Sequence, residues 1–175
     1  MQIFVLFFLV FLNSSLQADN QSWKNQDAYV QLSSVVTQIP NLGLSSIISG
    51  ETIDMVKNFQ ITPNRDAVVC QIPGLYYISC GLQPATIVRG VSGYMDTWFN
   101  VNGVAIPSSN SRQYVDENLR VSQITNNSIF QLNEGDVIST GFSSSNPYIG
   151  IVYIQSYLSS EPSVTSYIFS AYKIR

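Results

Sequence analysis

The chain has 175 residues, a formal net charge of −3 and no histidine. The lack of histidine excludes Ser-His-Asp and Cys-His nucleophilic sites, and it excludes zinc or copper sites that need an imidazole ligand. Only 11% of the residues are charged, and the sequence has no cluster of Lys and Arg to neutralise phosphates, which argues against nucleic acid as a partner.

An apolar run opens the chain. Residues 3–12 contain no polar side chain and are followed by Asn13-Ser14-Ser15. This length is typical of a signal-peptide core and is well short of the ~20 residues that a membrane span needs, although a lipid-embedded anchor is the alternative. We therefore expect a signal peptide over residues 1–18, a short N-terminal extension over residues 19–27, and a secreted, extracellular protein with no membrane span.

The rest of the chain, residues 28–175, has the size of a single domain, and the sequence shows no internal repeat or linker. Strand signals recur with turns between them, while helical periodicity hardly occurs. Thr52 to Phe59 has the spacing of one helical turn, but the stretch is too short to outweigh the rest. The pattern predicts an all-β, antiparallel sandwich of about eight to ten strands.

The most regular strand signal runs from Asp66 to Cys80, where Pro73-Gly74 separates two extended segments in a hairpin or a corner. Alternation then places Tyr76 on one face of the second strand and Tyr77 on the other.

The two cysteines, Cys70 and Cys80, lie on either side of this break. An exported chain with two cysteines permits one disulfide. A tight hairpin would leave the two residues about 10 Å apart, at ~3.3 Å per residue, which favours two buried free thiols.

Two later segments are also typical of strands. Residues 94–106 contain Asn102-Gly103, a dipeptide suited to a type I′ hairpin turn. Residues 150–158 have apolar side chains at both odd and even positions, which predicts a strand buried on two faces.

Three segments resemble, in order, the signature of the complement component 1q globular head, a jelly roll of the tumour necrosis factor-like superfamily. Residues 66–80 contain C-x-I-P-G followed by an aromatic strand, residues 123–139 contain a polar strand and the G-D-V turn, and residues 166–174 are similar to the closing strand. Ile78 and Cys80 stand where that family has aromatic residues. No Gly-X-Y stalk precedes the domain, so the chain looks like the stand-alone, secreted members of the family.

The resemblance implies a homotrimer in which one sheet of each jelly roll faces a threefold axis. Ten Tyr and nine Phe exceed what one core of this size requires. We expect some of Tyr76, Tyr77, Phe169 and Tyr172 near that axis. The alternative for each is a place in the protomer's own core, because strand parity alone cannot separate two buried faces.

We expect a non-enzymatic trimeric module that binds an extracellular glycan, or a cell-surface or microbial-surface protein, through outer loops. The loops at 107–118 and 143–148 are rich in Ser, Asn and Tyr, and Arg112, Tyr114 and Tyr148 are the candidate ligand-binding residues. One alternative is a structural coat or surface-assembly component whose head drives trimerisation. A second alternative is a carboxylate-dependent polysaccharide hydrolase.

The acidic residues offer few candidates for a catalytic or metal site. Adjacent carboxylates such as Asp116 and Glu117 point to opposite faces of a strand, which argues against a glycosidase pair and favours a solvated loop. With Asn118 they are candidate calcium ligands, and the sequence suggests no other cofactor. We expect Asp136 to stabilise the turn after Gly135.

Two tripeptides, beginning at Asn20 and Asn126, match the acceptor sequence for N-linked glycans if the source is eukaryotic.

Overall fold

The computed structural model describes residues 27–41, 43–117, 122–156, 158 and 160–175. The predicted signal peptide and nearly all of the predicted N-terminal extension lie outside these ranges. None of the described residues forms a helix with the length and hydropathy that a bilayer span requires.

Fourteen strands account for most of the described residues. In chain order they are β1 (Tyr29–Ser34), β2 (Ser46–Ile47), β3 (Thr52–Lys57), β4 (Phe59–Ile61), β5 (Ala67–Cys70), β6 (Gly74–Leu82), β7 (Pro84–Thr86), β8 (Gly93–Val101), β9 (Val104–Ala105), β10 (Ser111–Val115), β11 (Ile124–Leu132), β12 (Val137–Ser144), β13 (Ile149–Ile151) and β14 (Tyr167–Lys173). A short 3-10 helix covers Pro107–Ser109. Nine of these strands have four or more residues, and five shorter ones raise the total above the predicted eight to ten.

The strands form two main antiparallel sheets. One has the order β11-β6-β14-β1-β3, and the other has the order β10-β8-β12-β5-β4 with β2 and β9 added at β12 and β8. A third, two-stranded sheet joins β13 to β7. The predicted antiparallel sandwich is therefore confirmed, and the segment from Thr52, for which one helical turn was weighed, is a strand.

Aromatic side chains from both sheets meet between them. The ring of Phe99, on β8, lies 5.9 Å from the ring of Phe130 and 6.5 Å from that of Phe169, with nearly perpendicular planes. Phe99 is completely buried. Since burial of one such side chain contributes about 1.5–3 kcal/mol, this contact between β8, β11 and β14 is a main link between the sheets.

The break at Pro73-Gly74 is a corner and not a hairpin. β5, before it, belongs to the seven-stranded sheet, and β6, after it, belongs to the five-stranded sheet. Gly74 is not among the residues with positive φ. A Cβ atom there would lie 2.5 Å from the carbonyl oxygen of Arg175 and 2.5 Å from Cε of Lys173, so glycine is needed because the C-terminal residues pack against it.

The turn at Asn102-Gly103 has the predicted geometry, with φ of 53° and 76° between β8 and β9. The prediction of one strand over residues 150–158 is wrong beyond Ile151, where β13 ends. The next amide, of Val152, donates to the carbonyl of Gln83, and that of Tyr153 donates to a threonine hydroxyl. The β-ladder ends at Ile151 because these two amides donate to groups outside β7.

Asp136 holds the turn between β11 and β12, as predicted. One carboxylate oxygen accepts from the amide of Asn133 at 2.7 Å, and the other accepts from the side-chain amide of Asn102 at 2.8 Å. These hydrogen bonds, that from Asn133 first, lower the pKa of the Asp136 carboxyl below its usual value.

We expect Asp136→Ala to lower the free energy of unfolding by about 1–2 kcal/mol at neutral pH, because two hydrogen bonds to a charged acceptor are lost. A folded-state pKa below the unfolded one stabilises the fold above the unfolded pKa, and this stabilisation is lost as the pH falls through the folded pKa. Urea unfolding at neutral pH and at about pH 3 measures the gap between variant and wild type. If the difference in unfolding free energy between variant and wild type is the same at both pH values, the charge of Asp136 does not contribute to stability.

Candidate functional site

An in-register row of large side chains crosses the outward face of the five-stranded sheet. Register pairs Tyr29 with Tyr172, Tyr172 with Tyr77, and Tyr77 with Ile129. The rings of Tyr77 and Tyr172 lie 5.2 Å apart, and Tyr172 is 50% exposed. These four residues are called the tyrosine row. They form an apolar band that nothing in one protomer covers in the described part of the chain.

A polar row runs beside the tyrosine row, formed by Gln31, Ser170, Ser79 and Asn127 in register. The hydroxyl of Ser170 donates to Oε1 of Gln31 at 3.4 Å, and Nε2 of Gln31 donates to the carboxylate of Asp54 at 3.3 Å. Part of this row is therefore satisfied within the protomer, which lowers the cost of covering it with another surface.

Two of the four residues predicted near a trimer axis face outward, and two do not. Tyr77 and Tyr172 lie in the tyrosine row. Tyr76 is fully buried between the sheets and donates its hydroxyl to the carbonyl of Ile72 at 2.6 Å. Phe169 contacts Phe99 in the same core. For Tyr76 and Phe169 the prediction is corrected: both belong to the protomer's own core, which was the stated alternative.

A second aromatic surface lies on the opposite side of the molecule, on β8 and β10. Register pairs Tyr94 with Tyr114 and Asp96 with Arg112. The two tyrosine rings meet edge to face at 5.4 Å. Arg112 makes two hydrogen bonds to the Asp96 carboxylate, at 2.7 and 2.8 Å, and its guanidinium carbon lies 5.5 Å from the centre of the Tyr94 ring.

Trp98 extends this surface along β8. A Cβ atom on Gly141 would lie 2.6 Å from the Trp98 ring, so the glycine leaves room for the indole against the neighbouring strand. Nε1 of Trp98 donates to Oδ1 of Asn100 at 3.0 Å, and Nδ2 of Asn100 donates to the hydroxyl of Ser139 at 3.3 Å. The surface with Trp98 is called the aromatic platform; its members are Tyr94, Asp96, Trp98, Arg112 and Tyr114.

The predicted ligand-binding loops are partly corrected. Arg112 and Tyr114 lie on strand β10, because the edge of the sheet extends through this segment. Tyr148 does lie in a loop, between β12 and β13. The amide of Ser145 in that loop donates to the carbonyl of Tyr94 at 2.9 Å, and the amide of Tyr94 donates to the Ser145 hydroxyl at 2.8 Å. The loop therefore adjoins one end of the aromatic platform.

Sequence reasoning missed Tyr94, Asp96 and Trp98 as site residues. The signal was present, because these positions alternate with buried Met95 and Phe99 on one strand and therefore share the outward face.

The predicted calcium ligands stay a prediction. Asn118 lies outside the described residues, and the described residues contain no group of three or more Cys, Asp or Glu placed to hold a metal ion. Glu117 is exposed, and its carbonyl accepts from the amide of Gly90 at 3.2 Å.

The prediction of a glycan at Asn126 is corrected, while Asn20 lies outside the described residues. Asn126 is 5% exposed, and its side-chain nitrogen donates to the carbonyl of Ser109 and, at 3.4 Å, to that of Thr97. An amide buried between the sheets with these bonds is not presented as an acceptor by the folded chain.

Both cysteines are free and buried. They lie on strands of different sheets, and burial raises the pKa of the Cys80 thiol to about 12 and raises that of Cys70. The fold keeps both sulfurs protonated at neutral pH.

We expect neither thiol to react with an aromatic disulfide reagent in the native protein at about pH 8, and both to react at once in denaturant, because only an accessible thiolate attacks the reagent. Absorbance of the released chromophore measures both rates. The expected ratio is at least about 100-fold. Rapid labelling of one equivalent without denaturant would show that one of the two thiols is not buried in solution.

Comparison with known proteins identifies a similar fold but no sequence family. No family model matches the chain, and no curated protein matches it. Among solved structures, the chain is similar to the globular domain of zebrafish complement 1qA protein, with a TM-score of 0.54 and 9% sequence identity. The match covers 86% of this chain and 98% of that domain. At this identity the likeness shows the fold alone, a jelly roll of the complement 1q and tumour necrosis factor type.

Proposed function

We propose that this protein is a secreted, non-enzymatic, homotrimeric recognition module that binds an extracellular glycan or surface protein. The observation that carries the proposal is the presence of two exposed aromatic surfaces on opposite faces of one sandwich. The tyrosine row is apolar and in register, which suits self-association. The aromatic platform mixes rings with a charged pair, which suits ligand binding.

The area on the five-stranded sheet supports self-association. Besides the tyrosine row, Met55 and Ile168 on the sheet and Ile174 just after β14 are each exposed by 40% or more. If a fully buried tyrosine hides roughly 200 Å², the apolar area exposed by these side chains is on the order of 500 Å², near the top of the range for one patch on a monomer. A ring of three copies covers one such area at each contact and leaves no copy with an uncovered face.

The chemistry of the described residues supports binding without turnover. The chain has no histidine, and the carboxylate of Asp96 is held by Arg112. Asp116 and Glu117 are neighbours in the chain and not a pair of carboxyl groups facing each other across a cleft. The N-terminal apolar run and the two buried free thiols are compatible with export, since export does not require a disulfide in a domain of this size.

The experiment is binding of the secreted protein to a glycan array and to an array of extracellular proteins, with turnover of a polysaccharide panel measured in parallel. We expect saturable binding without product release. Blank arrays together with protein that stays attached to particles would favour the coat alternative. Polysaccharide cleavage that is lost in Glu117→Gln would overturn the proposal in favour of the hydrolase.

A further inference from the structure

The aromatic platform has a composition that selects among ligands. We infer that it binds a neutral oligosaccharide, with the rings stacking on sugar faces and the Arg112-Asp96 pair binding hydroxyl groups. This inference rests on the proposed recognition function and specifies its ligand class.

The charged pair determines which ligands fit. Because the Arg112 charge is already neutralised by Asp96 through two hydrogen bonds, an anionic ligand gains little net attraction at Arg112 and is repelled by the neighbouring carboxylate. The side chain of Arg112 is 64% exposed, that of Asp96 20%. Guanidinium N–H groups not bonded to Asp96 and the remaining lone pairs of the carboxylate offer a donor and an acceptor side by side. Neighbouring hydroxyls of a neutral sugar need this combination.

The aromatic rings determine the shape of the ligand. Tyr94 and Tyr114 are each about half exposed, and their contact with each other, together with that of Tyr94 with Arg112, restricts their rotation before any ligand arrives. Side chains restricted in this way lose little entropy on binding. Tyr94 and Trp98 are four residues apart on one strand, roughly 13 Å at ~3.3 Å per residue. That length exceeds one sugar ring and favours an oligosaccharide over a monosaccharide.

A second copy of the chain fits the platform less well than a glycan does. A protein partner would bury the Arg112-Asp96 pair and the partly exposed Trp98, and the cost of desolvating a charged pair often exceeds what it returns. The tyrosine row on the opposite face consists of three tyrosines and an isoleucine, with Lys57 in register only beyond Tyr29 at its end, and offers a mainly apolar contact at lower cost.

The test is titration of the intact secreted protein with neutral hexasaccharides of glucose, mannose, galactose and N-acetylglucosamine, and with sulfated and sialylated oligosaccharides of similar length. Binding is followed by tryptophan fluorescence, since Trp98 lies in the platform, and by calorimetry. We expect at least one neutral probe to bind with an affinity that barely changes between low and high salt. Tyr94→Ala and Tyr114→Ala should each weaken it by about tenfold, as loss of one aromatic contact does.

Two further variants sharpen the test. Gly141→Ala places a methyl group against the Trp98 ring and should weaken binding by moving the indole. Tyr29→Ala removes an exposed tyrosine from the tyrosine row on the opposite face and should leave the affinity per chain within about twofold. Equal losses in Tyr29→Ala and Tyr94→Ala would overturn the assignment to the platform.

Light scattering on the same samples separates the two proposals. A trimer that binds no neutral probe, or that binds only anionic probes in a salt-dependent way, overturns the neutral-glycan inference and leaves trimeric recognition standing. A monomer that binds the neutral probes through Tyr94 and Tyr114 supports the inference and overturns the proposed assembly.

Discussion

Tyr172→Lys is expected to convert the proposed trimer into monomers. Tyr172 lies at the centre of the tyrosine row, between Tyr29 and Tyr77, and a lysine there would place an unpaired ammonium group in each of three contacts. Burying such a charge without a partner costs several kcal/mol, so the assembly should weaken by at least about 100-fold. Sedimentation velocity over a range of concentrations measures the shift.

The chain offers a matched control. Tyr148 is 48% exposed, against 50% for Tyr172, but lies in a loop away from the five-stranded sheet. Tyr148→Lys should sediment as the wild type does. If both variants dissociate, a change in net charge and not the tyrosine row controls assembly. If neither dissociates, the row is not an interface.

Asn126→Asp is expected to cause the largest loss of stability among single polar changes. The side-chain nitrogen of Asn126 faces the carbonyls of Ser109 and Thr97, so a carboxylate there would meet two acceptors between the sheets and have no donor from them. An uncompensated buried charge of this kind costs about 3–5 kcal/mol. The free energy of unfolding in urea at neutral pH measures the loss.

Asn110→Asp makes the same chemical change at an exposed position just after the 3-10 helix. Its expected effect is within about 0.5 kcal/mol. A loss at Asn126 no larger than that at Asn110 would mean that Asn126 is not buried. It would also reopen the acceptor sequence at this position for modification.

The strand periodicity predicts the sandwich. At Pro73-Gly74 the sequence predicts either a hairpin or a corner, and the structure has a corner. Alternation places Tyr76 and Tyr77 on opposite faces of β6, but each face of this strand then carries a tyrosine. Only the pairing of β6 with β14 and β11 shows that Tyr76 points toward the other sheet. The number of aromatic residues motivates the proposed interface, while the choice of face requires the sheet order.

The aromatic platform is predicted only at Arg112 and Tyr114, for a different reason. Its residues come from two strands separated by β9 and a 3-10 helix, and Arg112 reaches Asp96 only through the register of β10 with β8. Nothing in the spacing of Arg112 and Asp96 along the chain fixes that register. The acceptor sequence at Asn126 predicts a glycan at a side chain that the structure buries, because a tripeptide carries no information about burial.

The most direct measurement is the mass of the purified, secreted protein by light scattering in dilute buffer, with and without a chelator. The expected result is a mass of three chains that persists on dilution, and any fall on chelation would point to the Asp116-Glu117 loop as a calcium site. A stable single chain, natively folded and with the tyrosine row open to solvent, would contradict the trimer on which the proposed function depends.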